Sequence, residues 1–195
     1  MKKILIIALA IIASIEGIGQ NPVVRIITKM GDIDVEVYLN KAPTTAANFL
    51  KYVDAGRYNN GAYFYRVVRL DNQPNKPIRI EVIQGGFQED SLIEKYQFPP
   101  IKHETTKETG ILHKDGVISM ARMEPGSASS EFFICIGDQP ELDYNGKRNP
   151  DGQGFAAFGK VLRGMEVVRK IQQLKDNDQY LINPVKIISI RRIKQ

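Results

Sequence analysis

The feature that most constrains the fold of this chain is a series of short segments in which apolar and polar side chains alternate. In one of them, Ile33, Val35 and Val37 alternate with the acidic residues between them. Successive side chains of a β-strand point to opposite faces, so this pattern predicts strands with one buried face and one solvated face. By this reading the strands occupy residues 23–29, 33–38, 62–69, 78–83, 117–121, 132–136, 155–161 and 184–193.

Helical periodicity is limited to two segments. One helix begins at Pro43, because apolar residues follow at helical spacing from Ala46 to Val53, and a second occupies about 165–174. About eight short strands with two irregularly placed helices do not fit repeating βαβ units. We therefore predict a mainly β fold, a closed eight-stranded antiparallel β-barrel capped by two α-helices.

The first nineteen residues differ in kind from the rest. Lys2 and Lys3 precede an apolar run over 4–13, and small residues follow at Gly17 and Gly19. This layout is typical of a secretory signal peptide, and the run is shorter than the roughly 20 residues of a membrane-spanning helix. We expect a signal peptide over 1–19 and a folded domain over 22–193. The protein would then be exported, to the periplasm in a Gram-negative cell, without a stable membrane span; an uncleaved N-terminal anchor is the competing interpretation.

Charge and cysteine content exclude several classes of protein. The net charge of +5 comes from scattered basic residues, whereas nucleic-acid binding needs a basic stripe with stacking aromatics. Cys135, the single cysteine, lies in an apolar strand, which predicts a buried and inert thiol. With His103 and His113 placed in a polar loop, neither a metal site nor a Cys–His pair is supported. We expect no metal, no cofactor, no nucleic-acid partner and a monomer.

The segment 116–143 is the most informative part of the chain. A strand over 117–121 leads into a turn rich in Pro, Gly and Ser, and a second strand holds the pair Phe132-Phe133. Alternation places these two rings on opposite faces of the strand, so one is core and the other is open to a groove. Such a unit combines aromatic side chains with backbone at a strand end, which suits binding of an apolar ring and a peptide bond together.

Several motifs, taken in order and at their spacing, resemble the cyclophilin-type peptidyl-prolyl isomerases over nearly all of 22–193. The motifs are Phe64-Tyr65-Arg66-Val67-Val68, Gln84-Gly85-Gly86, residues 116–121, residues 131–135 and Phe158-Gly159-Lys160-Val161. The resemblance implies an eight-stranded barrel with a shallow proline-binding groove on its outer face. It also implies an enzyme that rotates X–Pro bonds of flexible, proline-containing polypeptides without a covalent intermediate. Together with the signal peptide, it predicts assistance to the folding of exported proteins.

The resemblance also implies roles for individual residues. Arg66 matches the catalytic arginine, and Gln84 matches a substrate-contacting glutamine. The remaining matches to substrate-binding positions are the backbone of Ala121 and Arg122, the aromatic floor Phe133, the aliphatic wall Leu142, the aromatic wall Phe155, the apolar contact Val82, and Glu131.

The chain departs from the better-known family pattern at six of its positions. Glu81 and Val82 stand where Phe-Met is usual, Glu141 stands in place of a Trp, and Phe155 stands in place of a His. Arg122 replaces Asn and Glu131 replaces Gln; Glu131 is read either as a brace for Arg66 or as a solvated side chain. Two insertions, at 69–81 and 145–154, have no assigned role.

Two other functions remain open from the residues alone. The groove could hold proline-containing segments without catalysis, or the barrel could bind a small apolar ligand in its lumen. The Ile, Val and Phe residues of the strands argue against the lumen, since such side chains fill a small barrel.

Overall fold

The computed structural model of this protein describes residues 20–194. The expected signal peptide over 1–19 lies outside the described residues. No helix within 20–194 has the length and apolar character that crossing a membrane requires.

The described residues form nine strands and four α-helices, with short 3₁₀ turns between some of them. The strands are β1 (Val23–Thr28), β2 (Gly31–Val37), β3 (Tyr63–Val68), β4 (Val82–Gly86), β5 (Val117–Met120), β6 (Phe132–Cys135), β7 (Ala156–Arg163), β8 (Asp176–Asn177) and β9 (Tyr180–Ile193). The helices are α1 (Pro43–Asp54), α2 (Asp90–Tyr96), α3 (Thr106–Thr109) and α4 (Met165–Gln172).

Eight of the strands close into an antiparallel barrel. Their order is β1-β2-β7-β5-β6-β4-β3-β9, and β9 returns to pair with β1, for example Ile26 with Ile190. The ninth strand, β8, only forms a hairpin with the start of β9, where Asp176 pairs with Leu181. The predicted closed eight-stranded barrel is therefore confirmed, and closure leaves its strands without the exposed edges that promote aggregation.

The two longest helices lie at opposite ends of the barrel. On α1, the ring of Phe49 packs against Phe132 and Phe158, which lie near the starts of β6 and β7. On α4, Val167 packs against Gly31 at the start of β2, and β2 runs antiparallel to β7. The start of β2 and the start of β7 are thus at different ends, as the prediction of two capping helices requires.

The fourth strand lies later in the chain than its pattern predicted, at 82–86 instead of 78–83. Ile80 is held outside the ladder by a side chain, because Gln73 donates to its carbonyl (2.8 Å) and accepts from its N–H (3.3 Å). The strand instead ends in Gly85-Gly86, residues with low strand propensity. A side chain at Gly85 would overlap the rings of Phe64 and Phe132, so packing selects glycine there.

Two further differences lie in irregular regions. The segment 85–115, predicted to be irregular, contains the short helices α2 and α3. The last strand begins at Tyr180 rather than at Pro184. Pro184 lies at the register shift between Tyr180, which pairs with Arg66 of β3, and Val185, which pairs with Phe64, a position where a missing N–H is tolerated.

Candidate active site

Alternation along β6 creates two apolar clusters, one on each face of the barrel wall. Phe132 and Ile134 belong to the interior cluster, whereas Phe133 and Cys135 belong to a smaller cluster on the outer face. The prediction that the two phenylalanine rings face opposite ways is confirmed. The outer cluster comprises Val68, Ile80, Val82, Phe133, Cys135 and Leu142, with Ala121 and Phe155 packed against it.

This outer cluster forms the floor of a groove with a polar rim. The groove is lined by Arg66, Ile80, Val82, Gln84, Ala121, Arg122, Met123, Phe133, Leu142, Arg148, Asn149, Phe155 and Tyr180. The structure thus brings together every residue predicted for the site except Glu131. The sheet order explains part of the arrangement, because the neighbouring strands β3, β4 and β6 carry Arg66, Val82, Gln84 and Phe133, and the segments between strands supply the other lining residues.

The ring of Phe133 is held from two sides. Phe155 meets it edge to face at a centroid distance of 5.3 Å, and the buried ring of His113 stacks on it at 5.9 Å. His113 is fixed in turn by Asp143 at Nδ1 (2.7 Å) and by Ser119 at Nε2 (3.0 Å). Although this is the order of a hydrolase triad, Ser119 is 0% exposed. The set therefore positions the groove floor and offers no accessible nucleophile.

Arg66 lies on β3 at the edge of the groove, with its guanidinium held by two amides. Nη1 donates to Oε1 of Gln84 (2.8 Å), while Nε and Nη2 both donate to Oε1 of Gln179 (3.2 and 2.6 Å). Gln179 lies in the turn between β8 and β9. Among residues 20–194, no carboxylate forms an ion pair with Arg66, so its orientation is fixed while its charge stays uncompensated.

Glu131 lies behind the groove lining and reaches Arg66 only through intermediates. Tyr65 donates its hydroxyl to Glu131 (2.6 Å) and accepts a hydrogen bond from Gln84 (2.7 Å), the amide that also binds Arg66. The N–H of Phe87 donates to the other oxygen of Glu131 (2.7 Å). Glu131 is therefore not a solvated side chain, and a bracing role for Arg66 would act through Tyr65 and Gln84.

Burial shifts the pKa values of both Glu131 and Tyr65. It raises the pKa of Glu131 to about 7, against the hydrogen bonds from Tyr65 and Phe87 that favour the ionised form. Burial, followed by the nearby Glu131 charge, also raises the pKa of Tyr65. Gly86 packs directly against this carboxyl group with a positive φ of 140°, and a Cβ there would overlap its oxygens. Gly85 and Gly86 thus allow side chains to pack closely against both faces of β4, with aromatic rings at Gly85 and the Glu131 carboxyl group at Gly86.

The side chain of Arg122 has a structural role in addition to the backbone role that the resemblance implies. It is 1% exposed, pairs with Asp151 (2.8 Å), and donates to the carbonyl of Gly154 from Nε and Nη2 (2.9 and 2.6 Å). Its guanidinium also lies over the ring of Phe155. Arg122 therefore fastens the 145–154 insertion to the aromatic wall of the groove.

The departures at Glu81 and Glu141 point away from the groove. Glu81 accepts from Gln172 of α4 (3.3 Å), and Glu141 accepts from the N–H of Lys147 (2.8 Å). Val82, in contrast, lies in the outer cluster at 3% exposure. The apolar contact expected near Gln84 is thus provided by Val82 and not by Glu81.

Sequence reasoning missed the groove residues Arg148 and Tyr180 and the supporting residues Tyr65 and Gln179. Tyr65 stands beside Arg66 in a recognised motif, so its place in the motif was the available signal. Gln179 is separated from Arg66 by 113 positions, and no local pattern links the two.

The single cysteine does not add reactive chemistry. Cys135 is fully buried, and burial raises the pKa of its thiol. Within the part of the chain that the structure describes, no cluster of His, Cys, Asp and Glu could hold a metal ion. What the groove offers is an apolar floor, a fixed cation and hydrogen-bonding groups at its rim.

Comparison with known proteins gives consistent results. The family model for cyclophilin type peptidyl-prolyl cis-trans isomerase/CLD matches residues 23–192. A peptidyl-prolyl cis-trans isomerase of Acinetobacter baylyi is 36% identical over 98% of this chain and 95% of its own length. Peptidyl-prolyl cis-trans isomerase A of Dickeya dadantii is 37% identical over 88% of this chain and 83% of its own.

The fold has a matching solved structure. A crystal structure of a cyclophilin type peptidyl-prolyl cis-trans isomerase from Cryptosporidium parvum superposes with a TM-score of 0.70 at 22% identity, covering 90% of this chain and 99% of that one. The identity to that structure supports the fold alone. The family match over nearly the whole described domain, with relatives above 35% identity, establishes that this chain belongs to the cyclophilin type peptidyl-prolyl cis-trans isomerase family.

Proposed function

We propose that this isomerase rotates X–Pro bonds of exported polypeptides in the outer groove, with Arg66 as the catalytic residue. The observation that carries the proposal is the position of Arg66. Its uncompensated guanidinium is fixed by neutral amides at the edge of an apolar floor formed by Phe133 and Leu142.

The chemistry to be catalysed is a rotation in which no bond is broken. The barrier is about 20 kcal/mol because the peptide bond loses its resonance when it twists, so uncatalysed X–Pro bonds isomerise in tens to hundreds of seconds. Twisting leaves a lone pair on the prolyl nitrogen. A hydrogen-bond donor aimed at that nitrogen stabilises the twisted state more than either planar state, which is what catalysis requires.

A guanidinium at this position suits that task. A guanidinium is a cation whose N–H donors lie in a rigid plane. Gln84 and Gln179 accept from Arg66 without neutralising it. The protein thus orients the cation in advance, so little reorganisation is needed in the transition state.

The other groove residues hold the substrate. The side chains of Val82, Phe133, Leu142 and Phe155 bury the pyrrolidine ring by apolar contact, and Gln84 binds the substrate carbonyl. The backbone beside Ala121 and Arg122 pairs with the substrate peptide. The N–H of Ala121 already donates to the carbonyl of Glu131 (2.9 Å), so the N–H that pairs with the substrate would be that of Arg122. Glu131 acts through Tyr65 and Gln84.

Loss of Arg66 tests this mechanism. Arg66→Ala is expected to lower kcat/KM on an Ala-Pro peptide by about a hundredfold, the size of losing one preorganised donor. Arg66→Lys should also be impaired, because it keeps the charge and loses the planar fork. The exposed Arg163 is the control, and Arg163→Ala should leave the rate unchanged.

Two results would contradict the proposal. Full activity of Arg66→Ala in a protease-free exchange assay would remove Arg66 from the mechanism. Saturable peptide binding by the wild-type protein with no acceleration would instead indicate a non-catalytic binding module.

The proposal of exported clients rests on residues 1–19, where Lys2 and Lys3 precede the apolar run. Cell fractionation should recover the protein outside the cytoplasm, and N-terminal sequencing should find a mature chain that begins near Gly19. A recovered chain that begins at Met1 would favour the uncleaved anchor.

A further inference from the structure

The two insertions of this chain meet at one arginine on the rim of the groove. Nη1 of Arg148, in the 145–154 insertion, donates to the carbonyl of Ile78 (2.6 Å) and to Oε1 of Gln73 (3.1 Å), both in the 69–81 insertion. The side chain of Arg148 also lines the groove beside Ile80. The insertions therefore build one additional wall, and Arg148 is its cation.

The acidic residues of the protein neutralise only part of the positive charge in the groove. Three arginines line it, at positions 66, 122 and 148, and no acidic residue is among its lining residues. Arg122 is neutralised by Asp151. In the part of the chain that the structure describes, Arg66 and Arg148 form no ion pair, and their acceptors are amide or carbonyl oxygens.

The two unpaired arginines differ in the donors that they have left. Arg66 uses three of its five N–H groups, from Nε, Nη1 and Nη2, on Gln84 and Gln179, which leaves one N–H on each terminal nitrogen. Among residues 20–194, Arg148 uses Nη1 alone, which leaves Nε and Nη2 without a protein acceptor.

The surroundings of Arg148 disfavour its charge. Burial lowers the pKa of its guanidinium, and the charge of Arg66 lowers it further. An anion in the groove would relieve both effects, since an opposite charge stabilises a partly buried cation. The acidic side chain in its own insertion, Asp151, pairs instead with Arg122.

We propose that Arg148 makes this groove selective for proline segments that carry an acidic side chain next to the proline. The inference rests on the proposed function and adds a substrate class to it. The apolar floor takes the proline ring, Arg66 acts on the prolyl nitrogen, and the free donors of Arg148 bind the flanking carboxylate. A charged carboxylate and a guanidinium form the stronger class of hydrogen bond.

The test compares matched peptides that differ by one charge. Four short peptides carry Glu or Gln immediately before or immediately after the proline, and kcat/KM is measured by exchange spectroscopy without a coupling protease. For at least one flank, the wild-type protein should prefer Glu over Gln by about fivefold, as a partly exposed ion pair allows. The preference should shrink as the ionic strength rises.

Variants assign the preference to Arg148. Arg148→Gln should abolish the preference for Glu, so that kcat/KM on each Glu peptide falls to that on the matched Gln peptide, and Arg148→Lys should keep part of the preference. Arg79 provides the matched control, because it lies in the 69–81 insertion outside the groove lining and donates to the carbonyl of Leu70 (3.2 Å). Arg79→Gln removes the same charge and should leave the preference intact.

The outcomes separate this inference from the proposed function. Acceleration of all four peptides without a preference for Glu at either flank would overturn the inference and leave the isomerase mechanism standing. A preference that survives in Arg148→Gln would overturn it as well, as would an equal loss of rate on the Glu and Gln peptides. No acceleration of any peptide would count against the proposed function itself.

Discussion

The interior of the barrel and its outer groove are built from the same strands but have opposite properties. Consecutive residues of β3, β4 and β6 alternate between the two clusters, inside first and outside second for β3 and β6. The interior members are Val67, Ile83 and Phe132, and the outer members are Val68, Val82 and Phe133. A shift of one residue in register would turn the interior side chains outward to the groove and the groove side chains inward to the core.

The two faces differ in how their aromatic rings are enclosed. Phe132 contacts the rings of Phe49, Tyr58 and Phe64 at centroid distances of 5.5, 5.6 and 5.9 Å, so packed aromatics fill the interior. This packing leaves the lumen to side chains and argues against a ligand inside it. Phe133 has His113 and Phe155 on two sides and the groove on a third. The ring of Phe132 is thus enclosed by other side chains, whereas the ring of Phe133 keeps one surface open to a ligand.

Truncation of the two adjacent rings gives the largest expected effect. Phe132→Ala should lower the free energy of unfolding by about 4 kcal/mol, because it leaves a cavity in a closed core. Phe133→Ala should cost less stability, since its site opens to solvent, and should raise KM by about tenfold. Denaturant unfolding and isomerisation kinetics on both variants measure this difference. Equal losses of stability and of activity in the two variants would show that the faces are not separated.

Glu131 lies at the junction of the two faces and makes stability depend on pH. Its folded-state pKa is about 7, above its usual value of 4.5, so between these values the folded protein keeps a proton that the unfolded chain releases. The group therefore lowers stability as pH rises through this window and costs nothing below it. The free energy of unfolding of Glu131→Gln relative to wild type should rise by up to about 3 kcal/mol from pH 4.5 to above pH 7.

A carboxyl group with the opposite shift provides the control. Hydrogen bonds from Thr105 lower the pKa of Glu108. Its contribution to stability is present at neutral pH and is lost as pH falls, so Glu108→Gln should change the pH profile in the opposite direction. A profile for Glu131→Gln that runs parallel to wild type would show that folding does not shift the pKa of Glu131.

The sequence predicted the barrel well because alternation is a local signal. The strands, the inward and outward faces of β6 and the two capping helices follow from periodicity, which depends on neighbouring residues alone, and the closed barrel was inferred from their number and spacing. The predicted start of β4 was wrong, because periodicity does not show which side chains bind the backbone. Ile78 and Ile80 alternate like a strand, but Gln73 takes the backbone bonds of Ile80.

The site was predictable where a motif carries it and unpredictable where distant contacts do. Arg66 and Phe133 stand in recognisable blocks, and the structure brings them to one groove. Gln179 and Arg148 come from a hairpin and an insertion that meet the groove only after folding. Their partners Arg66 and Gln73 are 113 and 75 positions away, beyond any spacing rule for helices or strands.

Gln179 should support the groove without supporting the core. Its removal frees Nε and Nη2 of Arg66, so Gln179→Ala should lower kcat by about tenfold, with KM and the midpoint of thermal unfolding nearly unchanged. Asp178→Asn is the control, because this exposed neighbour shares the turn and its positive φ. A loss of stability in proportion to the loss of rate would mean that Gln179 serves the hairpin and not Arg66.

The ion pair between Arg122 and Asp151 should give the smallest effect, and it tests whether the groove wall is held independently of the core. Arg122 is 1% exposed while Asp151 is 33% exposed. Asp151→Asn removes the charge and leaves the contacts of Arg122 with Gly154. We expect KM to rise by about threefold and the free energy of unfolding to fall by no more than about 1 kcal/mol.

Asp138→Asn, which breaks the exposed pair with Lys114 outside the groove lining, should leave KM unchanged. If Asp151→Asn destabilises the protein as much as Phe132→Ala, the insertion is part of the folding core, and the separation between interior and groove fails at this wall.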